Sequence, residues 1–177
     1  MSYALTAASI AALIVTFSYL GALLLDRTHV STSALPIYLL LYGAGAVAGI
    51  AIGGRAADRR PLLTLAVAFV GVLVVSLLLA ALARSAPSVA VLVVLLGAFG
   101  FDSNPVLNSR VFGLAPGAPT LAPAFNVSAF NVGISAGPWL GGAVLTSGAG
   151  FAAIPAVGAA LAAFALGLLG VETRMAR

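Results

Sequence analysis

Only four of the 177 residues are acidic, and one of them, Asp102, lies inside a long apolar run. Its surroundings, GFDSNPVLNSR, add Asn104 and Asn108 at i, i+4 spacing, while Asp102 and Ser109 point nearly the other way. A second polar set, Ser128, Asn131 and Ser135, recurs at helical spacing in the next apolar run. A carboxyl that can take up and release a proton, beside amides and hydroxyls that hydrogen-bond a solute, is the chemistry of coupled transport. Two readings of Asp102 stand. It carries a proton, or it is a hydrated, helix-capping acid near the inner leaflet. Other chemistries lack their parts. With no cysteine there is no disulfide, thiol nucleophile or Cys-ligated metal. The single histidine, His29, falls in a loop, so no base pairs with a membrane serine and no zinc cluster forms. One membrane acid cannot make an aspartyl dyad.

The elements that position these groups must be membrane helices. Hydrophobic residues make up 62% of the chain and charged ones 7%, too few to cover a soluble domain. A helix needs about 20 residues to cross about 30 Å of hydrocarbon. Six runs meet that length, at residues 3–25, 34–54, 61–83, 88–112, 120–147 and 149–171, in a single domain spanning 1–177. The first is too long, and lacks the basic start and small-residue cleavage pattern, for a signal peptide. An Asp at mid-membrane costs about 2.5–3.5 kcal/mol on insertion scales, which makes Asp102 a functional candidate. About 12 Å of helix axis separates it from Arg110, so the two cannot pair along a straight helix. Pro105 raises two options for the fourth span: a helix wedged between protein neighbours, or one unwound there.

All eight basic residues are arginine. With the N-terminus inside, Arg55, Arg59, Arg60, Arg110, Arg174 and Arg177 fall on inner segments and only Arg27 and Arg84 on outer ones. That bias places both termini in the cytoplasm and makes the arginines topology determinants rather than a nucleic-acid surface. The third and sixth spans carry almost no polar side chains and are expected outside the first, second, fourth and fifth, which border an interior.

Two stripes of small residues follow. Gly45, Gly49 and Gly53 share one face of the second span, with Tyr38 and Tyr42 continuing it. Gly133, Gly137 and Gly141 do the same on the fifth, opposite Ser128, Asn131 and Ser135, with Pro138 expected to bend the helix. Such spacing lets helix backbones approach closely.

Gly133-x-x-x-Gly137-Pro138-x-x-Gly141-Gly142 resembles the antiporter motif of the major facilitator superfamily, and lies, as there, in the fifth of six spans. Gly54-x-x-x-Asp58-Arg59, followed by Arg60, is similar to the family's cytoplasmic loop motif. It departs where Pro61 replaces a glycine and Leu62 and Leu63 replace a basic pair. The resemblance covers nearly the whole chain. It implies an all-α integral membrane protein, a six-helix bundle corresponding to one half of a major facilitator fold. The fourth span carries no arginine between Arg84 and Arg110, and AFNVSAFNVGISAGPWLGG looks like the penultimate helix of drug, sugar and amphenicol exporters. Both point to the C-terminal half in the drug–proton antiporter branch.

The resemblance further implies residence in the inner (plasma) membrane and a small-molecule substrate. It implies a proton gradient, not a cofactor, as the energy source. The Asp58–Arg59 pair would serve either as a latch or as a plain anchor. A start at Met1 implies a truncated gene, a fragment, or a half-size transporter that dimerises. The two glycine faces are expected to meet a missing N-terminal half or a second copy, so that cysteines at Gly49 and Gly137 would trap dimers. A non-transporting remnant or accessory subunit is the alternative to export.

Overall fold

A computed structural model describes residues 2–114 and 120–175. The break expected at 115–119 lies outside the described residues. The first span is two helices, α1 (Ser2–Ser18) and α2 (Leu20–Asp26), separated at Tyr19. The others follow as α3 (Leu35–Ala57), α4 (Pro61–Leu82), α5 (Ala86–Leu114), α6 (Leu121–Thr146) and α7 (Ile154–Met175). No strand occurs among the described residues. Proline in the first turn opens α3 and α4, where its missing N–H has no helical partner to lose. Gly148 and Gly150, at φ 85° and 73°, make the turn between α6 and α7 in a region that residues with a Cβ rarely enter.

Five of the six spans are long and apolar enough to cross a bilayer. The remaining one, α6, has 26 residues and no charge, its apolarity diluted by glycine, serine and asparagine. The chain is a multi-pass membrane protein.

The helices pack as a closed series. α3 lies on α5, α5 on α4, α4 on α7, α7 on α1 and α1 on α6, with lighter α5–α6 and α1–α5 contacts closing the ring. Exchanging the first three spans for the last three maps this pattern onto itself. Span one on span five becomes span four on span two, and span one on span six becomes span four on span three. An inverted-topology repeat of three helices produces this symmetry. Apolar layers fill the ring. Leu13, Leu20, Leu79, Val93 and Leu96 pack toward one end, and Leu5, Leu65, Phe69, Val106 and Leu169 toward the other.

The repeat accounts for both glycine stripes and corrects their expected partners. A methyl group on Gly45, Gly49 or Gly53 would strike the α5 backbone at Val94, Ala98 and Asp102 respectively. One on Gly133 would lie 2.5 Å from the carbonyl oxygen of Ala7, and one on Gly137 3.0 Å from that of Ala11, both on α1. The seams are therefore filled inside the chain, at equivalent places in the two repeats, and do not face a second half or copy. The sites chosen for cross-linking, Gly49 and Gly137, are buried in those seams.

The structure decides between the two options for the fourth span. α5 runs unbroken through Pro105, wedged against four other spans. α6 is a continuous helix through Pro138, and the first span is interrupted at Tyr19. The third and sixth spans, α4 and α7, expose large apolar residues, Val70 and Phe164 among them, and are also anchored in the ring. Each buries a face, against α5 and α1 respectively, and the two pack on each other. The most exposed span is the second, because α3 turns its glycines to α5 and its large residues, Leu40 and Val47 among them, outward.

Candidate transport surface

The polar residues of α5 and α6 divide into two groups that do not meet. The first is a chain of hydrogen bonds across three helices. Asn126 of α6 is 1% exposed, and its side chain joins α1 to α5. Its carbonyl Oδ1 accepts from Thr6 Oγ1 at 2.9 Å and its Nδ2 donates to Asn108 Oδ1 at 3.0 Å. Asn108 Nδ2 in turn donates to the Asn104 carbonyl at 3.1 Å. A buried amide costs several kcal/mol in hydrocarbon unless paired, on the order of the water-to-cyclohexane penalty, and these bonds satisfy it. The Asn104 side-chain oxygen is buried and accepts no hydrogen bond among the described residues, which leaves an acceptor available beside this chain.

Asn126 was the residue that spacing alone passed over. It lies on the same stripe as Gly133, Gly137 and Gly141, all of them buried against α1. The twin segments AFNV at 124–127 and 129–132 make the point. Their asparagines are five residues apart, about 140° around a helix, so Asn126 is buried and Asn131 exposed. Ser128, Asn131 and Ser135 all stand on the exposed side of α6, with Phe125, Val132 and Trp139. Of these three polar residues, Ser128 folds back onto the Ala124 carbonyl at 3.2 Å.

Asp102 belongs to the second group, on the α3 side of α5. Its Oδ1 is buried at Gly53, the absent Cβ of which leaves the space for it, and accepts no hydrogen bond among the described residues. It lines a cavity together with Arg55, Arg59 and Arg60 at the end of α3 and start of α4. The structure thus brings Asp102 to the arginine-bearing loop and not to the asparagines. Asp58, Arg59 and Arg60 are exposed and form no ion pair among the described residues. The one ion pair among the described residues joins Arg110 Nη2 to Glu172 Oε1 at 2.7 Å, and Ser2 Oγ donates to the same oxygen at 3.1 Å. Glu172, just past the last apolar run, ties the ends of α1, α5 and α7 together.

Three spans also meet in aromatic contact. Phe17 of α1 stacks on Tyr42 of α3 with ring centroids 4.5 Å apart, and Phe101 of α5 meets the same ring edge-on at 6.2 Å. The proline–glycine segment of α6 has its own aromatic partner. Tyr19 donates its hydroxyl to the Pro138 carbonyl at 2.8 Å, and its ring fills the space that a methyl on Gly141 would need. Gly142 is open to the same hydroxyl, with its missing Cβ 3.3 Å away. Pro138, Gly141 and Gly142 therefore form a seat for the residue at which the first span breaks.

No protein-family model matches the chain. It is 34% identical over 163 residues to the inner membrane transport protein YdhP of Escherichia coli K12, across 92% of this chain and 42% of that protein. It is 38% identical over 128 residues to a chloramphenicol resistance protein of Streptomyces lividans, covering 72% of this chain and 33% of that one. It is 31% identical to the MFS-type transporter YtbD of Bacillus subtilis, over 82% of this chain and 38% of that one. The chain belongs to the major facilitator superfamily of membrane transporters, and it spans less than half the length of these relatives.

Proposed function

We propose that the chain is the C-terminal half of a proton-coupled exporter of small, neutral or weakly polar molecules. It works with a second six-helix unit, either the N-terminal half or another copy of itself. The observation that carries this reading is the exposed face of α6, where Ser128, Asn131 and Ser135 stand unburied in a helix of membrane length. Hydroxyls and amides facing lipid are costly, so that face needs protein or a solute path against it. The Asn104 acceptor and the Asn108–Asn126 chain supply further hydrogen-bonding groups. The name of the chloramphenicol-resistance relative supports an amphenicol as first substrate to try. Asp102, with an unpartnered oxygen, is the proton carrier in this reading, and both termini are cytoplasmic in the inner membrane.

Labelled chloramphenicol flux into proteoliposomes under an imposed pH gradient tests it. Flux with the chain alone means a homodimer transports. Flux only after co-reconstitution with an N-terminal six-helix half means the chain is half of a longer path. Flux in neither preparation defeats the export reading for this substrate and favours a non-transporting subunit. Asp102→Asn is expected to lower proton-coupled flux at least tenfold, on the order of a general acid–base contribution; unchanged flux removes Asp102 from the mechanism.

A further inference from the structure

The arginine cavity does not end at the loop. It has a volume of about 520 Å³, and Leu63 and Val67 on its wall are shared with a second cavity of about 550 Å³. That second cavity runs along α4 past Val70, Gly71, Val74 and Leu78 and is floored by Leu95 and Phe99 of α5. Its lining is wholly apolar. The groove exists because α3 packs on α5 and barely touches α4, while Gly71 lets the Phe99 ring lie flat in the gap. From Leu63 to Leu78 is about 22 Å of helix axis, deeper than one leaflet of a hydrocarbon core about 30 Å thick.

One end of this continuous cleft carries Arg55, Arg59 and Arg60 against the single acid Asp102, a net positive rim. Arg55 is held over it by a 2.9 Å hydrogen bond from Nη1 to the Ala51 carbonyl. The first-turn amides of α4, at Leu62 and Leu63, have no helical acceptor and open at the same end. A basic rim at the level of lipid headgroups, joined to an apolar trough of acyl-chain length, matches one class of occupant in charge and shape. We propose that the cleft running from the α3–α4 turn into the trough between α4 and α5 is a binding site for one anionic phospholipid, its phosphate held by Arg55, Arg59 and Arg60 and one acyl chain laid along α4 to Leu78. A free phosphate would satisfy the rim and leave the trough empty. The inference does not depend on the transport reading, and its test reads lipid occupancy rather than flux.

The full chain in detergent, equilibrated with equal dioleoyl phosphatidylglycerol and dioleoyl phosphatidylcholine, is analysed by native mass spectrometry. The expected result is one retained lipid, with the glycerol headgroup preferred on the order of tenfold or more, since each basic residue near the surface favours anionic lipid. The triple variant R55Q/R59Q/R60Q is expected to lose that preference to within about twofold. Arg84→Gln, at the opposite end of α4, keeps it. Val74→Trp fills the trough and lowers occupancy by both lipids, with the arginines intact. Millimolar inorganic phosphate leaves the bound lipid in place.

Equal binding of the two lipids overturns the proposal, as does a preference that survives loss of the three arginines. Displacement by inorganic phosphate alone would mark the rim as a free-anion site and overturn it as well. So would efficient disulfide formation between copies carrying Val74→Cys, because a second chain would then occupy the trough. The chain has no cysteine of its own to confuse that result.

Discussion

Asn126 supports more than its own burial. Its carbonyl and amide are used at once, by Thr6 on α1 and by Asn108 on α5, so one substitution disturbs three helices. Asn126→Ala leaves a buried hydroxyl without its side-chain acceptor and opens a small void. It is expected to destabilise the chain by about 1–3 kcal/mol, whereas Asn131→Ala, on the exposed side of the same helix, stays within about 0.5 kcal/mol. Thermal unfolding of the two variants in one detergent checks the contrast, and equal losses would mean that the three-helix hydrogen-bond chain contributes little. Thr6 also contacts the Ser2 carbonyl at 3.1 Å, so its hydroxyl retains a partner and the loss falls toward the lower end of that range.

At the scale of elements, the two glycine stripes set how closely parallel helices approach. Gly49 sits where a methyl group would collide with the Ala98 backbone, while Gly43, six residues earlier on α3, has nothing within 4 Å of the same added atom. Gly49→Ala must push α3 away from α5 and is expected to cost about 1–3 kcal/mol as overpacking. Gly43→Ala removes a flexible residue from an open helical position and is expected to be neutral or to stabilise by up to about 1 kcal/mol. Denaturation of both variants reads the difference directly. The α6 seam behaves the same way against α1, with Tyr19 set into its Gly141 end. Here a helix propensity deficit is offset by backbone contact that larger residues would prevent.

For the whole molecule, the three-helix repeat places the start of α1 and the end of α7 at one face of the ring, together with the α3–α4 turn and its arginines. In the proposed orientation that face is cytoplasmic. With no native cysteine, single cysteines replacing His29 and Asp58 report on opposite sides. In intact cells a membrane-impermeant maleimide is expected to label the cysteine at 29 at least tenfold faster than the one at 58, about the contrast that a sealed hydrocarbon barrier imposes. The reverse order would invert the molecule and place the arginine-rimmed cleft in the outer leaflet.

The residue types in this chain determined a good deal by themselves. Length and apolarity of the runs require membrane helices, because backbone polar groups in hydrocarbon must be satisfied within each segment. The glycine spacing of α6 with Pro138, and the Gly54-x-x-x-Asp58-Arg59 loop, carried the family resemblance that the relatives then supported. The period of α6 also separated a small-residue face from the face of Ser128, Asn131 and Ser135. What the sequence did not determine is which helix fills each seam, since a small-residue stripe is compatible with any neighbour that can come close. Tertiary packing chose α5 and α1, and so turned an expected surface for a partner into an internal joint. Packing also decided that the glycine stripe of α6, with Asn126 on it, is the buried face and that of Asn131 the exposed one. It set Asp102 beside the arginines of the α3–α4 turn and broke the first span at Tyr19, where no proline stands. Each of these outcomes depends on contacts between residues distant in the chain, and local periodicity specifies the face a side chain occupies but not what lies across from it.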